Sequence, residues 1–386
     1  MLHTLAVENY RSLRNIVVPL GRLNVVQGAN GSGKSNLYKA LRLLADTASG
    51  GVVSSLAREG GLKSTFWAGP ERISRDMRAG RFPVQGTVRQ ESMRLKLGFA
   101  EEDFGYGITM GLPSPSGSAF ALDPEIKREV IWAGPAFRPD RVLVDRAGPS
   151  VRVRTEPGWQ TLAEGLGLFE SVFLQIADPN LAPEVLLMRE RIRGWRFYDQ
   201  LRTDVEAPCR IPRLGTLTPV LSDDGGDLAA AIQTILELGD ANLVSEAIDA
   251  AFPGASLEVA IEPGGRFGIE FKQSGLLRPL RGTELSDGTL RFLLCLAALL
   301  TPPPPSMMVL NEPESSLHPE LLPALSRLII QASQRMQVWV VTHSPVLISA
   351  LKQDPEARVI ELQKELGQTQ VKDQNLLDKP RWHWME

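Results

Sequence analysis

The sequence predicts an α/β fold with a mainly parallel core sheet, an antiparallel β-rich lobe and a helical subdomain. Three observations carry this reading. The apolar run Leu23 to Val26 ends directly at Gly28-Ala29-Asn30-Gly31-Ser32-Gly33-Lys34-Ser35, after which Leu37, Ala40, Leu41 and Leu44 recur at helical spacing. Between about Gly50 and Thr155, Gly and Pro punctuate short alternating runs, the pattern of antiparallel strands. The last third alternates apolar strands with a helix, the spacing of a parallel sheet whose carboxyl ends carry chemistry.

In chain order, Leu2 to Val7 and Leu23 to Val26 are the first expected strands, and Ser35 to Ala45 the first helix. The alternating runs of the middle lobe are Arg94 to Phe99, Gly105 to Met110, Glu129 to Trp132 and Val151 to Val153. From Leu162 to Leu201 the pattern turns helical, and Leu228 to Leu238 and Ala241 to Phe252 read as two more helices. Leu257 to Ile261 and Phe267 to Phe271 are strand-like, and a helix from about Thr289 to Leu300 is stopped by Pro302 to Pro305. Met307 to Leu310 is a buried strand, Pro319 to Ser333 a helix, and Val338 to Val341 a strand ending at the polar turn Thr342-His343-Ser344. The expected division is 1–50 for the first part of the core, 51–160 for the β-rich lobe, 161–255 for the helical subdomain and 256–386 for the rest of the core.

The 386 residues are 43% hydrophobic and 23% charged, which excludes a wholly disordered chain. With 42 Lys+Arg against 45 Asp+Glu, the net charge of −3 provides no global basic field for nucleic acid or an anionic membrane, so any such contact must be local. Cys209 and Cys295 are too few for a disulfide framework or a cysteine metal site. The start, MLHTLAVENYRSL, lacks the basic-then-apolar run of a signal peptide, and no apolar run is long enough to cross a bilayer. A cytoplasmic location without membrane insertion is the expectation.

Gly28 to Ser35 fits G-x-x-x-x-G-K-[ST] at every specified position, after a strand and before a helix. Glycines let the backbone turn so that N–H groups face phosphates, and a helix N-terminus favours negative charge. In such a loop Lys34 reaches the β- and γ-phosphates and the Ser35 hydroxyl is a Mg2+ ligand. The strand from Met307 delivers Asn311 and Glu312 at its carboxyl end, the place for a metal-bound water and an attacking water. The first of such a pair is usually Asp; Asn311 offers an amide oxygen and no charge, so a lower metal affinity is expected. Leu285-Ser286-Asp287-Gly288-Thr289 stands just before a helix. Read alone, Ser286 or Asp287 is an N-cap, while the same hydroxyl, glycine and helix N-terminus also suit a γ-phosphate.

In order and spacing these segments resemble an ABC-type P-loop NTPase head. Gly28 to Ser35 looks like Walker A, Leu285 to Thr289 like the ABC signature, Met307 to Glu312 like Walker B, Ser316-Leu317-His318 like the D-loop, and His343 like the switch histidine. Asn-Glu-Pro-Glu and Leu-His-Pro at Walker B, with Asn9-Tyr10-Arg11-Ser12 near the start, are similar to the SMC/RecF/OLD-like branch of ABC ATPases, specifically its small stand-alone AAA family ATPase members. The resemblance implies a homodimer induced by ATP, with ATP and Mg2+ sandwiched between protomers. Gly28, Ala29, Asn30, Gly31, Ser32, Gly33, Lys34, Ser35 and Asn36 of one protomer would hold the nucleotide against Ser286, Asp287 and Gly288 of the other. Glu312 would polarise the attacking water, His343 contact the γ-phosphate and Lys34 complete the catalytic set. Ser35 and Asn311 would hold Mg2+, and Gln175 is the candidate for the Mg2+-sensing glutamine that follows a central strand in such cores. Asp287 stands where the common signature has its second Gly, and His318, where many relatives carry Asp, stays outside catalysis.

The Arg-rich stretch Arg189 to Arg202 has two readings. One is a nucleic-acid face with Trp195 and Tyr198 interleaved for stacking; the favoured one is an amphipathic helix burying Leu187, Ile192, Trp195 and Leu201. Trp382-His383-Trp384 reads as a packed or interacting tail. The function expected is a slow ATPase that acts as a switch on double-stranded DNA or a partner protein, in repair, genome maintenance or defence. The alternative is a regulatory ATP-binding module that recruits an effector, with incidental hydrolysis; the ATPase subunit of a membrane transporter fits less well. Asn311→Asp is expected to lower the Mg2+ concentration for half-maximal hydrolysis about tenfold, read from ATPase assays titrated with Mg2+.

Overall fold

The structure, a computed structural model, describes residues 1–71, 73–79, 81–82, 92–114, 117–199, 201–374 and 379–385. The chain divides into two compact units. One comprises Met1–Gly21, Gly28–Gly194 and Ile360–Glu386, and the other Arg22–Gln27 and Trp195–Val359.

The first unit is built on an eight-stranded antiparallel sheet. β1 (Leu2–Tyr10) and β2 (Leu13–Pro19) form a hairpin, and β3 (Leu23–Gly28) departs to a different sheet. β1 then pairs with β4 (Arg94–Glu101), followed in order by β5 (Phe104–Gly111), β6 (Glu125–Ala133), β7 (Val142–Ala147), β8 (Ser150–Thr155) and β9 (Gly158–Ala163). The antiparallel lobe read from the alternating runs is therefore present, with β1 and β2 added to it. In β8 the alternation is clean, Val151 and Val153 buried and their neighbours exposed, whereas β5 is buried along nearly its whole length. Part of that cover is the C-terminal tail. The rings of Trp382 and Trp132 pack edge to face at 5.6 Å, and Met385 is buried. Gly98 and Gly107 make room for it, because a Cβ there would lie 2.5 Å from Trp382 and 2.3 Å from Met385.

A buried ion pair crosses this sheet. Glu129 on β6 stands opposite Arg146 on β7, and Arg146 Nη1 donates to Glu129 Oε2 at 2.7 Å with both side chains out of water. The Tyr106 hydroxyl and Ser171 Oγ donate to Glu129 Oε1 at 2.7 and 2.6 Å, and Val172 N to Oε2 at 3.0 Å. Arg146 also donates to the carbonyls of Gly148, Gly167 and Glu170. Burial first, then the Glu129 charge, hold the Tyr106 phenol well above its ordinary range.

The second unit has a parallel sheet at its centre. The helical pattern expected through Leu201 breaks at Gly194, where the helix Pro183–Arg193 ends. The next residues form β10 (Arg196–Tyr198) instead, a correction whose cause is tertiary: Trp195, Phe197 and Tyr198 are buried beside an apolar strand, and that burial outweighs local helical spacing. β11 (Arg213–Leu214), β12 (Ser256–Glu262), β13 (Arg266–Lys272) and β14 (Leu280–Arg281) make a small antiparallel sheet. β15 (Met307–Asn311) and β16 (Gln337–Val341) complete the parallel sheet in the order β10-β15-β16-β3. Its core includes Ile232 and Val244 from the helices Leu228–Leu238 and Ala241–Ala251, Phe292 from Asp287–Leu299 and Leu325 from Leu322–Ser333. The hairpin of β17 (Ala357–Glu365) and β18 (Gln368–Val371) follows in the chain, and from Ile360 onward it belongs to the first unit.

Trp195 and Tyr198 are 4% and 2% exposed, so they offer no stacking platform to a nucleic acid. Arg191 pairs with Glu101 and Asp103, and Arg202 with Asp204. Removing one partner of the buried Glu129–Arg146 pair, by Glu129→Gln or Arg146→Met, is expected to destabilise the protein by about 3–5 kcal/mol in urea unfolding.

Candidate nucleotide-binding site

β3 feeds the glycine loop, whose backbone enters conformations that side chains disfavour: φ is 152° at Gly28, 77° at Gly31 and 108° at Gly33. A Cβ on Gly33 would lie 2.1 Å from Thr369 Oγ1. That closeness reflects a relay that braces the loop from behind. Asn36 Nδ2 donates to Ser12 Oγ at 2.7 Å, Ser12 Oγ bonds Thr369 Oγ1 at 2.7 Å, and Thr369 Oγ1 donates to Ser32 O at 2.7 Å. Thr369 N also donates to Ser12 O at 2.8 Å. Ala29, Asn30, Gly31 and Ser35 are exposed, and the helix Lys34–Thr47 begins after Gly33 without a side-chain cap, leaving first-turn N–H groups for an anion. Lys34 Nζ folds over the loop, donating to Gly28 O at 2.6 Å and Ala29 O at 3.3 Å.

In the second unit, Asn311 is in register with Val341, and Val341 with Val26. Asn311 and Glu312, Thr342 and His343, and the exit of β3 toward Gly28 therefore share one edge of the parallel sheet. Glu312 has a left-handed backbone, φ 48°, and its N–H donates to Val341 O at 2.8 Å. His343 Nδ1 lies 3.3 Å from Glu312 Oε1, with both side chains about half exposed. Glu314 braces the turn, accepting from the Thr342 hydroxyl and from His343 N at 3.3 Å. Asp199, directly after β10, adds a carboxyl to the same edge; burial first, then the Asp223 charge, push it up to about 6.

Ser286 caps the helix Asp287–Leu299: its Oγ accepts from Thr289 N at 3.1 Å and bonds Thr289 Oγ1 at 2.8 Å. Asp287 Oδ1 accepts from Arg210 Nη2 at 2.5 Å. A Cβ on Gly288 would lie 3.0 Å from Ser316 O. Ser286, Gly288, Thr289, Ser316, His318 and Glu320 line part of a cavity of about 380 Å³. His318 caps the short turn Pro319–Leu321.

Gln175 requires a correction. It ends the four-residue helix Val172–Gln175 rather than following a central strand, and its amide closes a loop by accepting from Gly167 N and donating to Gly167 O and Glu170 O. Thr369 beside the glycine loop in the first unit, and Glu314, Asp199, Arg210 and Arg291 in the second, are structural partners that motif reading did not single out. Only the Asn-Glu-Pro-Glu run, which contains Glu314, carried a local signal.

The profile of the AAA_21 family, described as "AAA domain, putative AbiEii toxin, Type IV TA system", matches residues 23–349. The chain belongs to this family. No curated protein matches the sequence. Among solved structures, an Smc head bound to the C-winged helix domain of ScpA is 14% identical to this AAA_21 chain, covers 97% of it and 98% of its own length, and superposes with a TM-score of 0.52. An Smc head with an extended coiled coil, bound to the C-terminal domain of ScpA from Pyrococcus furiosus, is 14% identical over 96% and 95% with a TM-score of 0.49. The SMC head from Thermotoga maritima is 14% identical over 97% and 99% with a TM-score of 0.45. The first likeness is one of fold: this AAA_21 protein has an SMC head-like α/β architecture. Among the described residues no helix is long and apolar enough to cross a membrane.

Because the native Asp199 carboxyl keeps its proton to about pH 6, while an unfolded one loses it near about pH 4, its stabilising contribution is complete at low pH and fades as pH rises through 6. Asp199→Asn should therefore gain stability relative to wild type by about 1 kcal/mol between about pH 4.5 and pH 7.5, less than full linkage because the group is partly solvated. Urea unfolding at the two pH values checks it.

Proposed function

We propose that this AAA_21 protein binds MgATP and hydrolyses it slowly in a sandwich homodimer that acts as a switch on DNA or a partner protein. The observation that carries the reading is the common edge of β15, β16 and β3, where Glu312 and His343 lie 3.3 Å apart beside the strand that leads into the glycine loop. Lys34 would exchange its loop carbonyls for the β- and γ-phosphates, and the uncapped N–H groups after Gly33 would hold phosphate oxygens. Glu312 would accept a proton from the attacking water, with His343 beside it toward the γ-phosphate. Ser35, whose side chain is exposed, and Asn311 would each offer Mg2+ a neutral oxygen, which suits an ion keeping phosphate and water in its remaining positions. Bound there, Mg2+ supplies neutralisation of phosphate charge. With no carboxylate at position 311, turnover would be slow. Ser286, Asp287 and Gly288 of the second protomer would close the nucleotide, and loss of the bridging charge on hydrolysis would release the dimer.

Recruitment of a protein effector is the second reading. It is favoured by the buried Trp195 and Tyr198 and by the pairing of Arg191 and Arg202 with carboxylates, which leave this stretch few features that would grip nucleic acid. Steady-state hydrolysis is expected to fall about 100-fold in Lys34→Ala. Stimulation of the wild type by linear double-stranded DNA that fades with salt supports the DNA switch, and indifference to DNA supports the effector. Glu312→Gln should be dimeric in saturating MgATP by light scattering; a monomer would remove the sandwich.

A further inference from the structure

We propose that Arg291 is the positioning residue of Glu312: from within the helix that starts at the signature, it holds the backbone on which the water-polarising carboxylate stands. The inference rests on the ATPase reading above. Arg291 is 6% exposed, in a helix whose neighbouring positions Leu290, Phe292, Leu293 and Leu294 are fully buried. Packing alone would be served there by an aliphatic side chain, and a buried guanidinium is costly unless its donors are met. Backbone carbonyls meet them. Nη1 donates to Leu201 O at 2.7 Å, Nη2 to Glu312 O at 2.9 Å and Nε to Pro313 O at 3.4 Å.

What Arg291 holds is an uncommon piece of backbone. At φ 48° Glu312 occupies a region that disfavours a residue with a side chain and persists where the surroundings fix it. Three hydrogen bonds pin it: Glu312 N donates to Val341 O on one side, and on the other Glu312 O accepts from Ser315 N at 3.0 Å and from Arg291, the side chain that reaches it from a separate element. A second buried guanidinium completes the device. Arg210 donates to Leu285 O at 2.8 Å and Asp287 Oδ1 at 2.5 Å, and also to the carbonyls of Thr203 and Asp204. The loop 201–204 after β10 is thus held by both arginines, and the start of the signature helix is tied to the strand ends that carry Asn311 and Glu312. In a sandwich, Ser286 and Glu312 of one chain serve different nucleotides, so the Arg291 link joins the two sites.

The experiment is complementation of Lys34→Ala. A signature variant such as Ser286→Arg places its lesion in the same composite site as the Lys34→Ala lesion, leaving the other site whole, so mixing the two inactive proteins restores hydrolysis. Glu312→Gln does not complement, since each lesion then disables a different site. Arg291→Met is expected to follow Glu312→Gln: hydrolysis down about 100-fold, ATP affinity of the chain within about twofold of wild type, and no restoration on mixing. Arg291→Lys, which keeps the charge but reaches fewer carbonyls, should recover part of the rate. Restoration of Arg291→Met by Lys34→Ala, or a wild-type rate, overturns the proposal. If Ser286→Arg is not restored, the sandwich is wrong, and Arg291 is judged by the split alone: equal losses in hydrolysis and ATP affinity make it merely structural. A wild type that binds ATP without hydrolysing it removes the ATPase reading and this proposal with it.

Discussion

The in-register parallel pairing of β15, β16 and β3 is the constraint on which the second unit depends. Each strand is mainly apolar and buried, with Asn24 and Gln337 as buried polar residues near the strand starts and Asn311 in the last pair. The polar residues available for chemistry lie at the last pair and just beyond it, and because the strands run the same way they collect at one edge. Asn311, Glu312, Thr342 and His343 are there for that reason. The hydrogen bond from Glu312 N to Val341 O continues the ladder by one step while the chain turns through a left-handed residue.

The turn at Glu312 is held from several directions. Glu314 ties it to Thr342 and His343, and Arg291 ties it to the helix capped by Ser286. Arg291 and Arg210 satisfy buried positive charge largely with backbone carbonyls, whose positions are set by secondary structure. The arrangement trades the flexibility of an ion pair for geometric definition. The first unit handles buried charge differently, with Glu129 and Arg146 facing each other across neighbouring strands and Tyr106 and Ser171 meeting the remaining carboxylate capacity.

The glycine loop illustrates a division of labour between near and distant sequence. Its pattern was legible because a backbone that turns through positive φ needs Gly at set positions, with a helix immediately after. The relay through Asn36, Ser12, Thr369 and Ser32 was not, since Thr369 stands more than 300 positions from Ser12 and a threonine on a short strand carries no local signal. Arg196 to Tyr198 failed in the opposite way. Its spacing suited a helix, and only the presence of Met308 to Leu310 alongside decides that it is a strand. Gln175 has the residue type of a Mg2+-sensing glutamine, but no local signal fixes its place, and its amide closes a loop instead.

By itself the sequence determined the fold class, the glycine loop, the antiparallel lobe and the polar residues that end β15 and β16, because each is written in local periodicity, glycine placement and strand-ending polarity. The tertiary structure alone decided that Asp287 is held by Arg210, that Glu312 takes a left-handed backbone under Arg291 and that Asp199 is a carboxyl raised by burial. Those properties depend on which groups meet across long sequence separations and how much water they lose in meeting, and neither quantity is encoded in any short window of residues.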